Sequence, residues 1–177
     1  MKSRNIRLMK GLLIALGLGL GLGLTACASS PPPETKMGSA DLKPRSGSNA
    51  SGHVHFHQLD KRVHVAFEVK GLAANSKHGF HLHEKGDCSA IDAMSAGGHY
   101  NPGGHQHGSL VSANRHAGDF GNIQANAQGV AKGELYLDNM HVRQLKGLSV
   151  IVHEKEDDEK SQPAGNAGSR IACGVIQ

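Results

Sequence analysis

Gly52-His53-Val54-His55-Phe56-His57-Gln58-Leu59-Asp60-Lys61-Arg62-Val63-His64-Val65-Ala66-Phe67-Glu68-Val69-Lys70 decides the fold class. Side chains on a strand alternate between its two faces. Val54 and Phe56 therefore face one way, and His53, His55 and His57 the other. After Gln58-Leu59-Asp60-Lys61 the alternation resumes, with Val63, Val65, Phe67 and Val69 on one face and His64, Ala66 and Glu68 opposite. This predicts a β-hairpin with one buried face, turning around Leu59-Asp60 and setting His64 across from His55 or His57.

Further strands are expected over 79–83, 122–127, 130–137, 148–153 and 171–176. Residues 85–119 have almost no periodicity and many Gly, Ser, Asn and His, and 154–169 read as a second long loop. A structureless stretch of that length inside a compact domain usually carries function. With no strong amphipathic helix, the chain reads as all-β, an antiparallel sandwich or barrel whose two long loops carry the chemistry. With no Trp and few Phe or Tyr, its core must rest on Val, Ile, Leu and Ala.

Toward the amino terminus, Lys2, Arg4, Arg7 and Lys10 precede an apolar run from Gly11 to Leu24. Leu24-Thr25-Ala26-Cys27 then resembles a bacterial lipobox. We read 1–26 as a lipoprotein-type signal peptide cleaved before Cys27, with Cys27 lipidated. An ordinary signal peptide cut nearby is the alternative. Pro31-Pro32-Pro33 lies in a Ser-, Pro- and Gly-rich stretch, so 27–49 is expected to be a flexible tether and 50–177 the folded domain. The chain has 19 Lys+Arg and 15 Asp+Glu, and the segment before Cys27 holds four of the basic residues and no acidic one. The mature chain is formally neutral, which gives no reason to expect nucleic-acid binding. The expected location is the cell envelope: exported, periplasm-facing and anchored to a membrane through Cys27. Cys88 and Cys173 then remain as a pair. An oxidising compartment favours a disulfide, with a free buried pair or extra metal ligands as the alternatives.

His81, His83, His99, His107, His116, Asp119 and His153 are seven potential metal ligands within about half of the mature sequence. His81-Leu82-His83 puts two imidazoles on one face of a strand. Six histidines and a carboxylate exceed what one tetrahedral ion needs, and suit two ions side by side, one of them redox-active.

Gly79-Phe80-His81-Leu82-His83-Glu84, Gly98-His99-Tyr100-Asn101-Pro102, His116-Ala117-Gly118-Asp119, Val152-His153-Glu154 and Gly165 through Gly174 resemble copper/zinc superoxide dismutases. The motifs occur in family order at compatible spacing over roughly residues 50 to 177. The resemblance implies a Greek-key form of the β-sandwich or barrel. It also implies one copper and one zinc per chain, with copper on His81, His83, His99 and His153, and zinc on His99, His107, His116 and Asp119. His99 would bridge the two ions. The implied activity is dismutation of superoxide to oxygen and hydrogen peroxide at a redox-cycling copper, with a structural zinc, protecting the envelope from extracellular superoxide.

His99 and Arg170 would be the catalytic residues, the Arg170 guanidinium attracting the anion. Asp157 resembles the carboxylate that links the free nitrogens of His81 and His107, although it sits in an acidic run that would otherwise be solvated. Cys88–Cys173 would hold the long loop, and with it Arg170, in place. His78 resembles a structural histidine bonded to backbone. His105 reads as solvated, with a shifted zinc ligand as the alternative. Between His153 and Arg170 the chain is several residues shorter than the better-known eukaryotic pattern, and the charged residues that guide substrate there have no evident match. A homodimer is left open. Two rival classes are a non-enzymatic metal-storing relative and a structural β-domain held by zinc alone. His53, His55, His57 and His64 fall outside the family match, either as a polar face or as a further metal or haem site.

Overall fold

A computed structural model describes residues 37–177. The expected signal peptide over 1–26, the lipidation site Cys27 and the tether as far as residue 36 lie outside the described residues. Eight strands follow one another: β1 (Met37–Pro44), β2 (Ser51–Leu59), β3 (Arg62–Lys70), β4 (Lys77–His83), β5 (Asp119–Gln124), β6 (Ala131–Asp138), β7 (Ser149–His153) and β8 (Arg170–Val175). The helical pieces among the described residues are one turn of α-helix, α1 (Val142–Leu145), and a 3-10 turn at Met94–Ala96.

The hairpin forms as its alternation dictates. Val54, Phe56, Val63, Val65 and Val69 are fully buried, while His53, His55 and His57 are exposed. Asp60 takes φ 50° in the turn, and the register places His57 directly opposite His64. Each fully buried Val or Phe contributes on the order of 1.5–3 kcal/mol through removal from water. Phe80 on β4 ties the two halves of the core, its ring 5.3 Å from Phe67 and 5.7 Å from Phe120.

The sheet order is β5-β4-β7-β8-β1-β2-β3-β6, with every neighbouring pair antiparallel. The edge strands β5 and β6 lie against each other and nearly close the sheet into a barrel. Within that ring β4, β5 and β6 are sequential and β7 returns beside β4, which is a Greek key.

One expectation is corrected. The stretch read as flexible tether, 27–49, contains β1, which pairs with β2 from Met37↔His57 to Leu42↔Gly52 and touches β8 at Lys43↔Cys173. Ala40 and Leu42 enter the core. The physical reason is edge satisfaction: without β1, the facing edges of β2 and β8 would carry unpaired backbone groups. The loops 84–118 and 154–169 are the two long excursions, and both leave from strands that carry site histidines.

Candidate metal centre

His81 and His83 lie on β4, His153 ends β7, and Asp119 opens β5, so four of the seven candidate ligands are fixed by ladder hydrogen bonds. His99 bridges back to His83 from the long loop, which also supplies His107 and His116. All seven are buried. They form two groups that share His99: one donor atom from each of His81, His83, His99 and His153 lies within 4.8 Å of the others, and the same holds for His99, His107, His116 and Asp119.

Hydrogen bonds fix which nitrogen each ring offers. His81 Nε2 bonds Asp157 Oδ2 at 2.8 Å, leaving Nδ1 free. His83 Nδ1 donates to the Gly97 carbonyl at 2.9 Å and His153 Nδ1 to the Gly168 carbonyl at 3.2 Å, leaving Nε2 free on both. His99 turns Nδ1 to Asp119 Oδ1 at 2.7 Å and leaves Nε2 unpaired. Buried polar side-chain atoms normally have partners. Among the described residues the ones without are His81 Nδ1, His83 Nε2, His99 Nε2, His153 Nε2 and His107 Nδ1. These atoms fit metal ions: four imidazoles suit copper, and three with one carboxylate suit tetrahedral zinc.

On the second group, Asp119 Oδ1 gathers the Nδ1 atoms of His99, His107 and His116 at 2.7, 3.0 and 3.2 Å. The His107 contact lacks the direction of a hydrogen bond, so that nitrogen's donor capacity is not satisfied there. Asp119 Oδ2 is held by the backbone N–H groups of Gly108 and His116, both at 3.0 Å. Burial opposes charge on Asp119, but the close His107 ring and the hydrogen bond from His99 win and hold its carboxyl far below the usual range.

Asp157 lies between the two groups. Its Oδ2 meets His81 and its Oδ1 accepts from His107 Nε2 at 2.9 Å, so one carboxylate orients a ring in each group. Asn122 holds Asp157 in turn, accepting from its backbone N–H at 2.8 Å and donating to its carbonyl at 2.9 Å. Gly165 passes over this bridge at φ 63°, and a Cβ there would collide with Asp157 Oδ1 and His107 Nε2. Burial pushes the His81 pKa down to about 4, against the pull of Asp157. Burial likewise takes His83 and His153 well below their ordinary value, and the nearby Arg170 charge adds to both. For His107, burial is outweighed by the carboxylates of Asp119 and Asp157, and its pKa rises to about 9.

Cys88 and Cys173 form a disulfide, Cα to Cα 5.8 Å, joining the 84–118 loop to β8. Arg170 Nη1 donates to the Ala93 carbonyl at 2.8 Å within that loop. His78 is structural, its Nδ1 bonding the His153 carbonyl at 2.8 Å. His105 is exposed and Lys85 is exposed, outside both donor groups. His53, His55, His57 and His64 lie together on the outer face of β2 and β3, also outside them.

A clip that sequence reading missed follows β1. Arg45 Nε donates to the Cys88 carbonyl at 2.9 Å, the Ser46 N–H to the Ile91 carbonyl at 2.8 Å, and Ser46 Oγ to the Arg170 carbonyl at 2.9 Å. Its signal was Arg45-Ser46-Gly47-Ser48, a polar turn that composition alone assigns to linker.

A nearly closed Greek-key barrel thus carries two buried donor sets that share one imidazole. The sequence profile of "Copper/zinc superoxide dismutase (SODC)" matches residues 50–176. The chain is 40% identical to the Superoxide dismutase [Cu-Zn] of Schizosaccharomyces pombe, covering 75% of this chain and 92% of that protein. It is 42% identical to the Extracellular superoxide dismutase [Cu-Zn] of Caenorhabditis elegans, over 71% of this chain and 60% of the longer relative. A similar extracellular enzyme of Drosophila melanogaster is 43% identical, over 73% of this chain and 76% of that protein. The crystal structure of the clock protein EA4 matches with a TM-score of 0.73 at 36% identity, covering 80% of this chain and 93% of that one. The chain belongs to the copper/zinc superoxide dismutase family. Its cofactors are copper and zinc, and its activity is superoxide dismutation.

Proposed function

We propose that His81, His83, His99 and His153 hold copper, that His99, His107, His116 and Asp119 hold zinc, and that Arg170 brings superoxide to the copper side. The observation that supports this best is the set of unpaired, buried nitrogens on His81, His83, His99 and His153. Copper held there would supply the one-electron couple for the two half-reactions, and zinc held by the second group would be structural. The protein does the rest. Arg170 presents a fixed positive fork to a small anion. His99 Nε2 takes up a proton between the two half-reactions and gives it to the departing peroxide, whose second proton comes from water. Asp157 keeps His81 and His107 in the tautomers that leave Nδ1 outward.

His153→Ala tests the partition. It is expected to lose copper and dismutase activity while keeping most zinc. Normal turnover in that variant would overturn the copper assignment.

The reading extends to location. The basic start, the apolar 11–24 run and Leu24-Thr25-Ala26-Cys27 support export with cleavage before Cys27 and lipid anchoring there. The Cys88–Cys173 disulfide suits an oxidising compartment, and two of the relatives are named extracellular. The enzyme then meets superoxide at the periplasmic face of the envelope. Membrane fractionation of wild type and Cys27→Ser tests the anchor. Wild type should sediment with membranes and the variant should not, and equal distribution would sink it.

A further inference from the structure

The half of the barrel without the two-metal centre carries histidines that the dismutase reaction does not use. His53 and His55 stand two apart on β2, both exposed, with ring centroids 5.5 Å apart. Imidazole pairs within the two donor groups set the scale on this same chain. His83–His99 are 5.0 Å apart and His83–His153 5.8 Å, while His99–His116 are 5.4 Å and His107–His116 5.6 Å apart. The exposed pair falls within the 4.1 to 6.2 Å span of ring separations inside those groups, although its donor atoms do not yet converge with a third as theirs do.

A carboxylate is in register with them. Glu68 on β3 lies directly opposite His53, near enough for the His53 charge to help hold its carboxyl below the usual range, behind the larger effect of Lys132. Ala66 lies opposite His55, and Gly133 on β6 lies opposite Phe67. These small residues leave a depression of 410 Å³ bordered by His53, His55, Glu68, Lys132 and Glu134. Glu68 now contacts Lys132 Nζ at 3.0 Å, an exposed pair of the kind that stabilises little and yields easily. The neighbouring pair His57–His64 is arranged differently. Its rings are 6.4 Å apart, and His64 Nε2 is engaged by Glu134 at 2.8 Å.

We propose that His53 and His55, completed by Glu68, bind a third transition-metal ion of the copper(II) or zinc(II) type on the outer face of the barrel. Two imidazoles select such an ion over magnesium or calcium, which prefer oxygen donors. The ion adds to the catalytic pair without competing for their ligands, because the two sets share no residue. The assignment does not rest on the catalytic roles proposed above.

The test uses the full protein already loaded with copper and zinc, cleared of loose metal by a mild chelator. Zinc(II) is titrated calorimetrically, and copper(II) separately by electron paramagnetic resonance. One further ion per chain is expected. The double variant His53→Ser/His55→Ser should lose it with dismutase activity unchanged, whereas His57→Ser should keep it. Lys132→Ala should tighten binding several-fold by freeing Glu68, and Glu68→Gln should weaken it. The proposal is overturned if the loaded protein takes up no third ion. It is equally overturned if the ion survives the double substitution, or is lost with His57→Ser instead.

Discussion

Arg170 and Ala93 are joined by a 2.8 Å hydrogen bond from guanidinium Nη1 to carbonyl oxygen, and this bond fixes where the cation beside His83 and His153 can point. Ala93 is buried in a small cluster with Ala96, Ile151 and Cys173, under the disulfide. The carbonyl is therefore a rigid acceptor on a pinned loop. Burial makes charge on Arg170 costly, and the carboxylate of Asp92 favours it.

Arg170→Glu is expected to leave both metals bound and to cut the rate with superoxide roughly tenfold or more, the scale of electrostatic steering in a narrow site. Stopped-flow rates at rising ionic strength check it. The wild-type rate should fall with salt and the variant should lose that dependence. A rate close to wild type would hand the steering role to another cation, with Lys85 the next to try.

Arg45 is expected to back up the disulfide. The 85-residue separation of Cys88 and Cys173 implies about 4–5 kcal/mol of cross-link stabilisation in the chain-entropy model. Arg45 adds hydrogen bonds from β1 onto the Cys88 carbonyl, and losing them costs about 1–2 kcal/mol. Arg45→Ala should lower activity slightly in the oxidised protein and much more in a Cys173→Ser background, because either link alone keeps Arg170 near its place. Simple additivity in a double-mutant cycle for kcat/KM would show that the two do not act on the same loop.

The hairpin and the two clusters of buried imidazoles are legible because each rests on local periodicity or a short motif. Val54, Phe56, Val63 and Val65 announce their face through alternation, and His81-Leu82-His83 announces two imidazoles on one strand face by spacing alone. Asp157 could be picked from an acidic run only through the family resemblance, since nothing local separates it from Asp158. β1 resembles a tether in sequence because only Ala40 and Leu42 mark its buried face, between Gly, Ser and Pro. The Arg45 and Ser46 clip was invisible for a different reason. Its partners are 43 and 124 residues away, and their accepting atoms are carbonyls that carry no sequence signal.

Asp157→Ala should disturb both ions from one position. It removes the acceptor that orients His81 and His107, and losses of such orienting partners typically cost about 10–100-fold in metal affinity. Gly165→Ala should reproduce much of this without touching the carboxylate, because its Cβ would displace Asp157 Oδ1 at a backbone φ of 63°. Competition with a zinc chelator reads both variants. Wild-type zinc retention in Gly165→Ala would mean that the loop shifts without moving the Asp157 bridge.

Acid should strip zinc before copper, and the pKa shifts give the order. With the metals removed by a chelator, His107 keeps its proton up to about pH 9, because Asp119 and Asp157 outweigh its burial. Zinc must displace that proton at any lower pH. Its apparent affinity should therefore fall by about tenfold per unit as pH drops below 9, and one proton from His107 should be released for each zinc bound at pH 7. The copper side runs the other way. Burial holds His81 down to about 4 and keeps His83 and His153 well below their ordinary value, so protons compete for these three rings far less than for His107. Dialysis of the loaded enzyme from pH 8 to pH 5 against a weak chelator, followed by metal analysis, should show zinc lost while most copper stays. Zinc uptake that is flat from pH 5.5 to 8, with no proton release seen by an indicator dye, would mean that His107 is already neutral and that the carboxylates do not hold its proton.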